Sequence, residues 1–173
     1  THAAVFDISS GSQDGELLPI CSMVANFPNP NLGDGLMTFD EVETLSHEFG
    51  HVLHNGIGKA KFSRFVGANV EWDFVEAPSQ IMEHWVWKTE CLKRFSKHID
   101  TGESLDEVIC IKLNKSKNIG VSLLTLRQVS FGLADQHLHG KDFSDSLTEI
   151  EKKSQSVTTI NYPDDTNHLG AFG

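Results

Sequence analysis

At 173 residues, with 39% apolar and 22% charged side chains, the chain carries enough apolar material for one substantial core, which excludes wholesale disorder. Fourteen Lys and Arg against 24 Asp and Glu leave a formal net charge of -10, a field that repels phosphate and excludes nucleic acid as the expected partner. No run approaches the roughly 18 consecutive apolar residues that a bilayer span needs, so no membrane partner is expected either.

The chain opens without Met in strand-like residues and closes in loop composition from Asn161 to Gly173, the pattern expected of a piece of a longer protein. Two extended runs, Ala3 to Ile8 and Leu18 to Phe27, flank a polar, glycine-containing turn from Ser9 to Glu16 and predict an antiparallel hairpin. Two strands are barely stable alone, so the hairpin must lie against the helices or join further strands. The edge of Met23 to Phe27 is a candidate for pairing with an extended peptide. Thr38 with Glu41 and Asp40 with Glu43 are alternative capping boxes for a helix carrying Val42, Leu45, Phe49, Val52 and Leu53, expected to stop near Asn55-Gly56. A second long helical pattern covers Asp73 to His98, with Pro78 either in its first turn or kinking it. Ser104 with Glu107 caps a shorter helix from Leu105 to about Lys115. An apolar helix from Val121 to His139 and an amphipathic one from about Phe143 to Lys153 follow. A hairpin and five successive helices predict a mainly α (α+β) fold rather than a doubly wound α/β sheet. The expected organisation is one domain over 1–173, with the strand hairpin in 1–30 and the helical part in 38–173.

Three cysteines, Cys21, Cys91 and Cys110, form no C-x-x-C pair and cannot all pair with one another. They read as reduced thiols of a reducing compartment, the cytoplasm or an organellar matrix. Trp72, Trp85, Trp87 and Phe95 are expected to fill the core. Lys112, Lys115 and Lys117 read as a solvated face, as does the acidic helix segment Glu149 to Lys153. Arg127 lies in an apolar run, which predicts a buried guanidinium with an anionic partner.

The chemistry concentrates in His47-Glu48-Phe49-Gly50-His51, an HExxH motif inside the capped helix. At about 100° per residue, His47 and His51 differ by about 40° and stand one turn apart, so both imidazoles can meet one ion at about 2.0 to 2.1 Å. Glu48 flanks that face, where a carboxylate accepts a proton from water activated at the ion. A catalytic site of this kind needs a third protein ligand, and Glu76, His84 and His54 are the candidates. His54 points almost as His47 does but lies seven residues, about 10 Å, along the axis, which assigns it to the cleft wall or to a place behind a ligand. His84 reads as a structural histidine. Glu76 is the better ligand because it opens the following helix, so that two packed helices converge on one ion. Glu83, two turns further on nearly the same face, is a candidate to receive the distal N–H of a ligand histidine, with Gln80 a further polar candidate near the cleft. The variant of the motif with a third histidine six residues later is excluded, because position 57 is Ile57.

Together, Glu43-x-Leu45-x-His47-Glu48-Phe49-Gly50-His51-x-x-His54, then Asp73-Phe74-Val75-Glu76-Ala77-Pro78-Ser79-Gln80 and Glu83-x-Trp85-x-Trp87, closely resemble the thimet oligopeptidase, oligopeptidase A and peptidyl-dipeptidase family of zinc metallopeptidases. The resemblance also covers the histidine-bearing N-terminal strand, Phe65-Val66-Gly67 and Leu124-Thr125-Leu126-Arg127-Gln128, hence nearly the whole chain. It implies a zincin-like helical metallopeptidase core with one Zn2+ per chain, metal histidines at His47 and His51, a metal glutamate at Glu76 and a base at Glu48. It further implies hydrolysis of internal or near-C-terminal bonds in short, unstructured peptides within a deep channel between two mainly helical halves. Family enzymes are several times longer and continue, beyond a segment resembling His168 to Gly173, into a His-x-x-Gly-Tyr region whose tyrosines bind substrate and stabilise the oxyanion. The expectation is therefore a catalytic-core fragment whose missing N- and C-terminal parts are its partners and which has little activity alone. Tyr162 precedes that region and reads as a loop tyrosine. The competing expectation is a non-catalytic, metal-containing peptide-binding or regulatory fragment.

Overall fold

A computed structural model describes residues 3–11, 16–140, 145–160, 163 and 169–172. The turn residues 12–15, the expected helix start at Phe143, the N-terminal His2, Tyr162 and His168 lie outside the described residues. Contacts divide the chain into two compact units, Thr1–Ile111 and Lys112–Gly173. The architecture is mainly helical with a small N-terminal hairpin, as the hydrophobic pattern predicts.

In the first unit, β1 (Ala3–Ser9) and β2 (Ile20–Ala25) pair antiparallel, from Ala3 opposite Ala25 to Asp7 opposite Cys21. An irregularity between Asp7 and Ser9 shifts the register so that Ser9 meets Ile20, the extra-residue arrangement of a bulge. Both strands pack on α1 (Phe39–Ile57), which supplies the partner surface that a lone hairpin lacks. Of the two possible capping boxes, Thr38 and Glu41 form the one present: Thr38 Oγ1 accepts from the Glu41 N–H at 3.3 Å, and the Glu41 carboxylate accepts from the Thr38 N–H at 2.7 Å. The helix runs through Asn55-Gly56 and ends at Ile57, with Gly58 as its cap. It therefore holds Asn55 inside its last turn, although the Asn-Gly pair by itself predicts a stop there.

The long helix expected over Asp73 to His98 is two helices, α2 (Ala77–Val86) and α3 (Thr89–Phe95). Pro78 sits in the first turn of α2, where its missing N–H costs nothing. Residues 72–76 are turns, with the Phe74 and Val75 N–H groups donating to the Glu71 carbonyl. The break after Val86 follows from tertiary anchoring. The Trp87 indole N–H donates to the Glu43 carboxylate on α1, its ring meets Phe39 edge-on at 4.4 Å, and the next residue, Lys88, is extended. Among the described residues α4 (Glu107–Ser116) starts later than the Ser104–Glu107 box predicts. Asp106 caps it by accepting from the Val108 N–H at 2.6 Å, while Ser104 bridges to Lys97.

The end of α4 falls in the second unit, whose described elements are otherwise α5 (Val121–His139), α6 (Leu147–Gln155) and a 3-10 turn at Leu169–Phe172. α5 springs from Gly120, whose φ of 77° is the left-handed region open to glycine. It buries Ser130 and Ala134, one turn apart, and α6 buries Ile150 and Ser154, also one turn apart. Three of the four, Ser130, Ala134 and Ser154, are small, and the two helices pack together with Ile150 between them as the large apolar side chain. Six α-helices are thus described where five were expected, the sixth arising from the break at Trp87-Lys88.

Several surface expectations need correction. Trp72, Trp85 and Phe95 are exposed rather than buried, and only Trp87 is partly covered. Arg127 is also exposed, its guanidinium 5.0 Å from the Phe131 ring centroid, so a cation–π contact takes the place of the expected buried ion pair. No helix of the described residues is long and apolar enough to cross a membrane.

Candidate metal centre

The site is built where α1 crosses the start of α2. Gly50 permits that crossing: a Cβ built there would stand 2.5 Å from Ser79 Cα and 2.6 Å from the Pro78 carbonyl oxygen. No side chain fits between these backbones, so the third residue of the motif after His47 is glycine for a packing reason. The close crossing carries Glu76, the N-cap residue of α2, over the exposed side of the histidine pair.

His47 and His51 lie one turn apart on α1, with ring centroids 5.0 Å apart and planes at 77°. Glu76 Oε2 stands 3.1 Å from His47 Nε2 and 3.2 Å from His51 Nε2. Ligand atoms from the three residues all lie within 4.8 Å of one another, the one such cluster among the described residues. Atoms held tetrahedrally at about 2.0 to 2.1 Å from a cation lie about 3.3 Å from each other. The two Glu76–histidine separations therefore fit a shared ion nearly as they stand.

The surroundings of each ligand explain its orientation. His47 Nδ1 lies 2.6 Å from Glu83 Oε1, which assigns the proton to Nδ1 and turns the Nε2 lone pair toward the cluster. Glu83 lies two turns along α2 from Glu76, so one helix face supplies both carboxylates. Ser79, fully buried, donates from Oγ to Glu76 Oε2 at 2.7 Å, with the Glu76 carbonyl oxygen 2.9 Å away. That hydrogen bond is the main cause holding the Glu76 carboxyl below its ordinary pKa; partial burial opposes it, and His51 and His47 add to it. His51 Nδ1 is buried without a protein partner.

Glu48 is 7% exposed, and its Oε2 is enclosed with no hydrogen-bond partner. A carboxylate buried beside the candidate ligand cluster without a protein partner contributes no hydrogen bond that would hold the fold together. His47, Glu48, His51 and Glu76 open on a cleft of about 470 Å3 whose other walls are β1 (residues 3–7), Asn55, Ala68, Asn69 and Val75. The strand along the cleft is therefore β1, whereas the sequence pointed to the edge at Met23 to Phe27.

The remaining candidates fall elsewhere. His54 packs edge-on against Phe74, with ring centroids 6.0 Å apart, and its Nδ1 is buried and unpartnered. Burial, then the proximity of His51, lowers its pKa and favours the neutral ring. Gln80 is exposed and is not part of the cleft lining, and His84 lies on α2 away from that lining. Ser79 and Asn55 carried no residue-type signal of their own, since their part depends on the helix crossing and on how far α1 extends.

The chain matches the family described as Peptidase family M3 over residues 1–173. It is 40% identical over 143 residues to Saccharolysin of Saccharomyces cerevisiae, covering 80% of this chain and 20% of that protein. It is 39% identical over 173 residues to Oligopeptidase A of Salmonella typhimurium, covering 92% of this chain and 25% of that protein. It is 42% identical over 149 residues to the chloroplastic/mitochondrial Organellar oligopeptidase A of Arabidopsis thaliana, covering 83% of this chain and 19% of that protein. The chain thus spans about a fifth to a quarter of the length of the curated relatives it matches.

Proposed function

The chain belongs to peptidase family M3, and from that premise we propose that it is the metal-holding catalytic core of a zinc peptidase that hydrolyses internal or near-C-terminal bonds of short peptides. The observation that carries this reading is the convergence of Glu76 Oε2 on both histidine Nε2 atoms, with the unpartnered Glu48 carboxylate beside them in one cleft. His47, His51 and Glu76 would hold the ion, with Glu83 and Ser79 holding two of those residues in place. Zinc held there would supply Lewis acidity toward a carbonyl oxygen and toward water.

Glu48 accepts a proton from the attacking water and returns it to the leaving amine, so the expelled group departs as a neutral amine. Its enclosure keeps bulk water from competing for that proton. The cleft admits an extended peptide beside β1, which suits short, unstructured substrates. Cys21, Cys91 and Cys110 form no disulfide, in keeping with action in the cytoplasm or an organellar matrix.

The family resemblance implies oxyanion donors in parts of the longer relatives that these 173 residues do not match, and on that reading the 173 residues alone turn over weakly. One missing donor costs about a hundredfold to a thousandfold in rate. The test combines metal analysis with cleavage of a quenched fluorescent peptide. One zinc per chain, lost on Glu76→Gln, together with low cleavage that vanishes in a zinc-retaining Glu48→Gln variant, is the expected result. Zinc binding indifferent to Glu76, or cleavage indifferent to Glu48, would sink the reading. Unaltered peptide affinity with no turnover in either form would favour a purely peptide-binding fragment.

A further inference from the structure

Asn55 is the one residue of the cleft lining whose burial has no explanation in the metal centre. It is 4% exposed, its Oδ1 is enclosed without a hydrogen-bond partner, and it lies on the cleft wall one turn beyond His51. An unpaired carboxamide end in a protein interior costs about 1 to 3 kcal/mol, so a packing role alone would favour an apolar residue here. The side chain is also held in place. Gly67, in the left-handed region at φ 63°, lies flat against it, and a Cβ at that glycine would meet Asn55 Nδ2 at 3.1 Å and its Cα and Cβ at 3.3 Å. The loop behind is braced in turn, with Val66 buried and Asn69 Nδ2 donating to the Val66 carbonyl oxygen at 3.3 Å.

The spacing along α1 says what such a group would meet. The four residues from His51 to Asn55 advance about 6 Å along α1 and an extended peptide advances about 3.3 Å per residue, so a peptide lying along the cleft with its scissile bond at the histidine pair would present its backbone to Asn55 about two residues away. A carboxamide offers a donor and an acceptor, the same two functions that a peptide unit presents.

We propose that Asn55 is a substrate-positioning residue whose carboxamide hydrogen-bonds the main chain of the bound peptide about two residues from the scissile bond. The inference rests on the peptidase reading above and deepens it. Pairing with main chain rather than with a side chain gives register without demanding a particular amino acid at that position.

The test uses the zinc-loaded 173-residue chain carrying Glu48→Gln and a fluorescein-labelled octapeptide, with each peptide N–H replaced in turn by an ester oxygen. The expected result is that Asn55→Leu weakens binding about tenfold while zinc affinity stays unchanged and Tm does not fall. In addition, the penalty of the ester at one position should disappear in Asn55→Leu. Asn55→Ala, which removes both the acceptor and the donor without adding bulk beside Gly67, should reproduce the loss and covers the case in which the leucine variant folds poorly. Ester penalties that are the same in all three proteins overturn the inference while leaving the peptidase reading intact. A chain that binds zinc but no peptide overturns both, and the two failures are distinguished by whether the starting protein binds the octapeptide.

Discussion

Ser79 shows how much of the site depends on residues that touch no reacting atom. Its hydroxyl proton can serve one acceptor at a time, and the Glu76 carboxylate, being charged, is the stronger claimant over the Glu76 carbonyl. Ser79→Ala removes that restraint and leaves Glu76, half exposed on its open side, free to rotate away from His47 and His51. Zinc affinity should fall about tenfold, at the low end of what loss of a group supporting a metal ligand costs, while Tm changes little. Competition with a chromophoric chelator measures it; an unchanged affinity would mean that the start of α2 alone orients Glu76. The histidine pair and Glu48 were legible in the sequence because an α-helix fixes the relation of residues one turn apart, whatever surrounds it. Glu76 and Glu83 were legible only as members of the next helix. Asn55 was not legible at all: an Asn-Gly pair reads as a helix stop, and the chain instead continues to Ile57.

At the scale of elements, the α1–α2 crossing is what turns separate ligands into a centre. Gly50→Ala places a methyl group 2.5 Å from Ser79 Cα, against backbone that cannot turn aside, so the helices must separate. The expected cost is about 1 to 3 kcal/mol of stability, with zinc affinity reduced at least tenfold as Glu76 moves off the histidines. Gly56→Ala is the internal control. It lies on the same helix, where an added methyl group would meet nothing within 4 Å, and should stabilise α1 by about 0.5 to 1 kcal/mol. Thermal denaturation and zinc titration of both variants decide the matter, and equal effects would mean that the crossing is not tight. The same contrast explains which elements the sequence predicted. The hairpin and the span of α5 depend on local pattern and match, and of the two caps open to α1 the structure forms the Thr38 one. The division of the long pattern into α2 and α3 depends on Trp87 meeting Phe39 and Glu43 from another helix, a contact that periodicity does not carry.

At the scale of the whole molecule, apolar surface is the outstanding feature. Trp72 is 91% exposed and Leu32 87%, and α5 exposes Val121, Leu123, Leu124 and Val129 while its buried residues are Ser130 and Ala134. Apolar residues spread round much of a helix, here interrupted by Arg127, Gln128, Asp135 and Gln136, are ordinarily covered by more than one neighbour. The 173-residue chain should therefore bind a hydrophobic dye such as ANS strongly and self-associate as its concentration rises. Its net charge of -10 opposes that association. Added salt screens the repulsion and should drive self-association further, the reverse of what an assembly held by ion pairs would do. Light scattering and sedimentation across a salt series read the sign directly. A monodisperse chain with no dye enhancement at high salt would mean that these faces cover one another in solution.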